Sequence, residues 1–181
     1  QGSVQHMSLL IANVLDFTRN RLGGGIELNL SDGKELEREI RQVVEELRSA
    51  HSGREIRLEI SKQESVRCDV WRVGQLLSNL LGNALTYGDP AQPIRVVCSA
   101  LKDGGLELSV WNGGKPIPPS AMERLFDPFV RSTNHDDPRG VGLGLHIASE
   151  IAKTHGGSLD VSSNVERTIF TFRLPNGELE S

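Results

Sequence analysis

Two pairs of strand-like segments, each closed by a short turn, constrain the fold of this chain more than any other feature. Residues 94–101 and 106–111 are apolar-rich runs around the turn KDGG, and residues 159–163 and 168–174 repeat the arrangement near the C-terminal end. Strands joined so closely run antiparallel, because a parallel pair needs a crossover of a dozen or more residues. Helical stretches lie before and between these hairpins. The mixture predicts an α+β sandwich in which one helical layer covers a mostly antiparallel sheet.

The helical stretches are set by apolar spacing. Val4, Met7, Leu10, Ile11, Val14, Leu15 and Phe17 recur at three- and four-residue steps, predicting an amphipathic helix over residues 4–21 that Gly23, Gly24 and Gly25 end. A lone helix of this length is marginal in water, so its apolar stripe needs a partner, either the rest of the chain or another subunit. A strand-like IELNL follows, then Ser31/Asp32 as a cap for a charged helix over residues 34–49, then an alternating strand over residues 56–60. Asp69 opens a second large helix carrying Val73, Leu76, Leu77, Leu80, Leu81 and Leu85, which stops at Gly88-Asp89-Pro90. A short helix is expected around residues 120–125 and a third long one over residues 143–154; between them, residues 127–142 lack periodicity and read as a mobile loop.

Composition narrows the function. The formal net charge of −4 gives no basic surface of the kind nucleic acid requires. Cys68 and Cys98 stand among apolar neighbours, as reduced core side chains in a cytosolic setting do. No apolar run approaches the roughly 18 residues of a membrane span, and no signal-peptide pattern opens the segment; an anchor of the parent protein would lie outside it.

Three stretches can carry chemistry. In RGVGLGLHIASEIAKTHGG, Gly140, Gly142 and Gly144 directly precede a helix, so backbone N–H groups and the helix dipole can meet an anion; a tight loop-to-helix turn is the other reading. The run is neither a dinucleotide fingerprint, since no βαβ unit surrounds it, nor a P-loop, since the Lys-Ser/Thr pair is missing. In LLSNLLGNALTYG, Asn79 and Asn83 lie one turn apart on one helical face, where carboxamide oxygens suit a hard cation held together with phosphates; two polar residues on a solvated face is the alternative. The third is WNGGKPIPP, a glycine turn at a strand end, with Asn112 where an aspartate is expected for a nucleotide-site turn of this kind.

The order of these stretches resembles the catalytic, ATP-binding half of bacterial sensor histidine kinases. LLSNLLGNAL resembles that family's asparagine box, NGGKPIP its first glycine box, LFDPFVR its phenylalanine box, GVGLGLHIASEIAKTHGG its second glycine box, and RTIFTFRLP its last strand, over about residues 27–175. The N-terminal SVQHMSLLIANVLDFTRNRLGG resembles the second helix of the dimerisation and phosphoacceptor hairpin, and NLLGNALTYGDP leans towards the phytochrome-linked branch. The resemblance implies a mixed, mostly antiparallel sheet backed by three helices, with residues 1–24 belonging to the hairpin and residues 25–181 to the kinase catalytic domain. It implies ATP and Mg²⁺ as ligands. Asn83 would hold Mg²⁺ with Asn79 assisting; Asn112 and Thr168 would face the adenine, Gly142 and Gly144 would cradle the phosphates, and Gly114, Gly140 and Leu143 would also belong to the ATP-binding set. Arg131 and Arg139 are candidates for countering phosphate charge, the alternative being solvated loop arginines.

The departures from the pattern matter as much. Water-activating relatives carry a glutamate at the place matched by Asn79, so this site has no general base there and suits transfer to a protein imidazole. Thr86 stands where such kinases often have a lysine. None of the five histidines has the acidic-then-proline setting of a phosphoacceptor; His6 is followed by Met7 and Ser8, and His155 reads as a helix C-terminal cap. The expected partners are therefore a phosphoacceptor hairpin, in the same or a sister chain, and a response regulator, in a parent homodimer. The competing expectation is a non-catalytic kinase-like module that binds nucleotide weakly or not at all and acts by pairing through its N-terminal helix.

Overall fold

The computed structural model describes residues 2–61, 66–102, 104–130 and 141–176, with side chains from Met7 onward. Its elements are helix α1 (Gly2–Arg21), α2 (Leu36–Ala50), strand β1 (Ile56–Ile60), α3 (Val70–Tyr87), β2 (Ile94–Ala100), β3 (Leu106–Asn112), α4 (Pro119–Met122), α5 (Gly144–Thr154), β4 (Ser158–Ser163) and β5 (Thr168–Leu174). The five strands form one sheet in the order β1-β2-β3-β5-β4. Only β1 and β2 pair in parallel; both expected hairpins form, and β3 pairs with β5 antiparallel. Helices α2, α3 and α5 cover one face, with α2 against β1, α3 against β3 and α5 against β4 and β5.

Alternation along the strands produces this layering. Ile94, Val96 and Cys98, then Leu106, Leu108 and Val110, then Phe170, Phe172 and Leu174 point at the helices and are buried, as a sheet solvated on its other face requires. The opposite face carries ion pairs such as Arg95 with Glu59 and Arg173 with Glu107, and Trp111 lies between the guanidinium groups of Arg95 and Arg167. Helix α3 is the spine of the covering layer. Leu76, Leu77, Leu80 and Leu81 are fully buried, each such side chain contributing about 1.5–3 kcal/mol. The Asp69 carboxylate accepts from the Arg72 backbone N–H at 3.0 Å, capping the first turn.

Several expectations are corrected. IELNL forms no strand: Ile26 is buried and Leu28 packs against the core, the Asn29 N–H donates to Asp69, and the only bridge nearby among the described residues is the isolated Ser31–Cys68 pair just beyond the segment. Helix α2 begins at Leu36 with Glu35 at its N-cap and no side-chain capping bond; Asp32 accepts instead from the Lys34 N–H in the preceding turn. The short helix spans Pro119–Met122, because the proline fixes its first turn. Of the segment read as a mobile loop, residues 131–140 lie outside the described residues. Both cysteines are buried thiols outside any disulfide, and burial, with Asp69 beside it, pushes the Cys68 thiol up to about 11. No helix among the described residues is long and apolar enough to cross a membrane.

The N-terminal helix forms, and of the two partners expected for its apolar stripe the rest of the described chain does not cover most of it. Met7, Ile11, Val14 and Leu15 of the apolar stripe face outward, while the buried face is polar, with Asn13 and Asp16 turned towards the domain.

Candidate functional site

The site is assembled on α3, with one cluster at each end of its polar stripe. At the far end of β3, Asn112 and Thr168 are register partners on adjacent strands, both buried on the helix-facing side. The Asn112 amide donates to the Gly113 carbonyl at 2.9 Å, and Thr168 Oγ1 shares a 2.7 Å bond with Ser163 Oγ. The following turn is pressed on the C-terminal end of α3. Asp89 N–H donates to the Gly113 carbonyl at 2.9 Å, and a Cβ on Gly114, whose φ is +131°, would come within 3.2 Å of the Tyr87 carbonyl oxygen. Only glycine is comfortable in that backbone conformation.

The second cluster lies where α5 begins. Gly142 has φ +73°, and its carbonyl accepts from the Phe129 N–H at 2.9 Å, turning the chain into the helix. Leu143 is buried at the N-cap position and offers no side-chain cap, and the first turn of α5 carries no acidic residue. Among the described residues no side chain accepts from the amides of this helix start, which is the condition for binding an anion. A Cβ on Gly144 would lie 3.1 Å from Asn79 Oδ1, so the glycine lets α5 seat itself against the asparagine face of α3. Asn83, one turn further along α3, is half-buried and its carboxamide has no hydrogen-bond partner among the described residues. Along α3 the two clusters are about 12 Å apart, the rise of eight residues.

Residues 68–178 match the family model described as histidine kinase-, DNA gyrase B- and HSP90-like ATPase, which is more than half of the chain. The chain belongs to this ATPase family. A bacteriophytochrome of Pseudomonas aeruginosa is 32% identical over 182 residues, covering 99% of this chain and 25% of the relative. Sensor histidine kinase TrcS of Mycobacterium tuberculosis is 32% identical over 180 residues, covering 97% of this chain and 35% of the relative. The chain thus spans about a quarter to a third of the length of these proteins. Among solved structures, the nucleotide-free catalytic domain of histidine kinase ThkA is 28% identical with a TM-score of 0.66, covering 83% of this chain and 97% of that one. Full-length ShkA in complex with AMPPNP is 31% identical with a TM-score of 0.76, covering 99% of this chain and 38% of that one. The fold is that of histidine-kinase ATP-binding domains.

Within this family fold the sequence-derived residues divide unevenly. Asn79 meets Gly144, and Asn112 meets Thr168, while Gly114, Gly142 and Leu143 stand in the turns that hold these pairs together. Arg131, Arg139 and Gly140 lie outside the described residues. His155 caps α5 and does more: Nδ1 donates to the Ile151 carbonyl at 2.8 Å, and Nε2 accepts from the Asp69 backbone N–H at 3.1 Å, joining the end of α5 to the start of α3. Burial holds this imidazole below its ordinary 6.5, as its acceptor role demands.

Two features escaped sequence reasoning. Arg54 donates through Nη1 to the carbonyls of Leu85 and Gly88 at 3.3 and 3.4 Å, steadying the end of α3; nothing in the turn HSGRE signals that reach. The larger omission is a buried polar ladder between α1 and α3. Arg72 Nη1 donates to Asp16 Oδ2 at 2.6 Å and to Gln75 Oε1 at 2.8 Å, and Gln75 Nε2 donates to Asp16 Oδ2 at 2.9 Å and Asn13 Oδ1 at 3.1 Å. Asn13 and Asn79 then exchange two bonds, Nδ2 of Asn13 to Oδ1 of Asn79 at 2.8 Å and the reverse at 3.3 Å. A signal was present: Asn13, Asp16, Phe17 and Asn20 recur at helical spacing, a second stripe beside the apolar one.

Proposed function

We propose that residues 25–181 are the ATP-binding catalytic domain of a two-component sensor histidine kinase, and that residues 1–24 belong to its dimerisation and phosphoacceptor hairpin. One observation carries the reading: the uncapped start of α5, opened by Gly142 and Gly144, lies against the asparagine face of α3, where the Asn83 carboxamide has no hydrogen-bond partner among the described residues. The α5 amides bind the phosphates, and Asn112 with Thr168 lines the adenine end. Arg131 and Arg139 balance phosphate charge.

The donor present fits Mg²⁺: the half-buried Asn83 carboxamide offers a hard oxygen of the kind this ion takes beside phosphates, and Asn83 would be its protein ligand. Bound there, Mg²⁺ neutralises charge on the phosphates. Asn79 cannot take a proton from water, so the nucleophile is an imidazole that attacks the γ-phosphorus as the bond to ADP breaks. His51, His146 and His155 each tie Nδ1 to a backbone carbonyl, which supports an acceptor outside this segment. Phosphate then passes to a response-regulator aspartate, on the cytosolic side of the cell. The outward face of α1, with Met7, Ile11, Val14 and Leu15, is covered by the hairpin of the parent homodimer.

Calorimetry with a non-hydrolysable ATP analogue tests the reading. Binding that strengthens with Mg²⁺ is expected; absence of binding at millimolar ligand leaves only a non-catalytic module.

A further inference from the structure

The two asparagines of α3 are not equivalent, and the difference comes from α1. Asn79 is 6% exposed and Asn13 3% exposed, and each carboxamide gives a donor and an acceptor to the other. In this arrangement the polar edge of Asn79 is spent on a protein partner and shielded from solvent. Asn83, with the same side chain one turn away, is left open.

The interface that engages Asn79 has the composition of a detachable contact. Its centre is the Asp16–Arg72 ion pair with Gln75 between the two, and its flank is a bond from Asn20 Nδ2 to Glu150 Oε2 at 3.0 Å. Phe17 adds an edge-to-face contact with Phe129, the residue whose N–H meets Gly142, at a ring separation of 4.9 Å. Buried ion pairs and amide ladders fix register but add little net stability, because desolvation offsets much of the attraction. The apolar stripe that would give a permanent seal points the other way. Polar contacts of this kind between parts of one chain form and break readily.

We infer that docked α1 is a clasp on the nucleotide site: Asn13 occupies the Asn79 carboxamide, so that docking of α1 and binding of the nucleotide phosphates oppose one another. The inference rests on the proposed role of Asn79 beside the phosphates. Coupling between two such events is reciprocal. Loss of the clasp tightens nucleotide binding, and nucleotide loosens α1.

Both directions are measurable on the whole 181-residue chain. Asn13→Ala is expected to bind AMPPNP with Mg²⁺ about five- to tenfold more tightly than the parent chain in calorimetry, the equivalent of one or two neutral hydrogen bonds. Asn13→Gln, which keeps the polarity but cannot form the reciprocal pair, is expected to move the same way and covers the case in which the alanine variant folds poorly. In hydrogen exchange, saturating AMPPNP with Mg²⁺ is expected to speed exchange of the α1 amides in the parent chain, since an undocked helix of this length frays. Parent-like or weaker binding by folded Asn13 variants, or α1 amides that exchange no faster with ligand bound, overturns the clasp while leaving the nucleotide site standing. Failure of parent and variants alike to bind overturns the nucleotide reading, and the clasp with it.

Discussion

The two halves of α3 share an apolar back and have opposite polar fronts. Towards its start, Arg72, Gln75 and Asn79 are buried and engaged by α1; one turn later Asn83 is half-buried, with no hydrogen-bond partner among the described residues. Both halves rest on the same leucines, so the contrast does not come from the core. It comes from what lies over the polar stripe. Identical side chains separated by one turn become a strut in one place and an open ligand in the other, and spacing alone cannot distinguish them.

Alanine substitution of each asparagine gives the largest expected effects and tests the contrast directly. Asn83→Ala removes the only change in nucleotide affinity that Mg²⁺ brings, while stability moves by no more than about 0.5 kcal/mol, the usual range for a site outside the core. Asn79→Ala leaves the buried Asn13 Nδ2 without its acceptor, a cost of about 1–3 kcal/mol unless α1 lets go first. A thermal melt should therefore fall for Asn79→Ala and hold for Asn83→Ala. Equal melts, or Mg²⁺-dependent binding that survives Asn83→Ala, would break the distinction.

The same contrast explains what was legible in the sequence. Period-two and period-3.6 patterns placed the two hairpins, α2, α3 and α5, because Leu76, Leu80, Val96 and Phe170 face one core and have one way to be buried. The glycine turns at 112–114 and 142–144 were legible because positive φ at Gly114 and Gly142 restricts residue type. IELNL misled because it meets the core without forming a strand: Ile26 is buried and Leu28 packs against the core from an irregular segment. The ladder from Asn13 and Asp16 to Asn79 was hidden for a different reason. It joins residues up to 66 positions apart through polar groups, and single-chain periodicity identifies apolar faces far better than complementary polar ones.

A smaller effect separates the two ends of α3 by pH. At its start the Asp69 N–H depends on a neutral His155, whose surroundings also include the Asp69 carboxylate and the Arg72 guanidinium; the C-terminal end is steadied instead by the Arg54 guanidinium. Because burial depresses the folded-state value of His155, this stabilisation is fully present above its ordinary 6.5 and is lost as pH falls through the folded value. The melting temperature should drop between about pH 7 and about pH 5, before most carboxylates titrate. His155→Gln, which retains an amide donor and acceptor but does not titrate, should flatten that drop. A variant with the parent's pH slope would show that His155 is not the group responsible.

The smallest expected effect belongs to the C-terminal end, where Asn112 replaces the aspartate expected there. A carboxylate would accept from the adenine amine with charge assistance, a gain of about 1 kcal/mol over a neutral acceptor. It would also forfeit the 2.9 Å donation from the Asn112 amide to the Gly113 carbonyl and set an anion beside that oxygen. The two changes oppose each other, in a turn already tied to α3 through Asp89 and Gly113. Asn112→Asp should therefore change affinity for the ATP analogue by no more than about tenfold in either direction. A hundredfold gain in calorimetry would mean that the bond to Gly113 contributes nothing and that asparagine here weakens the site. A change within tenfold would leave Asn112 as a neutral reader of adenine, whose second task is to hold its own turn.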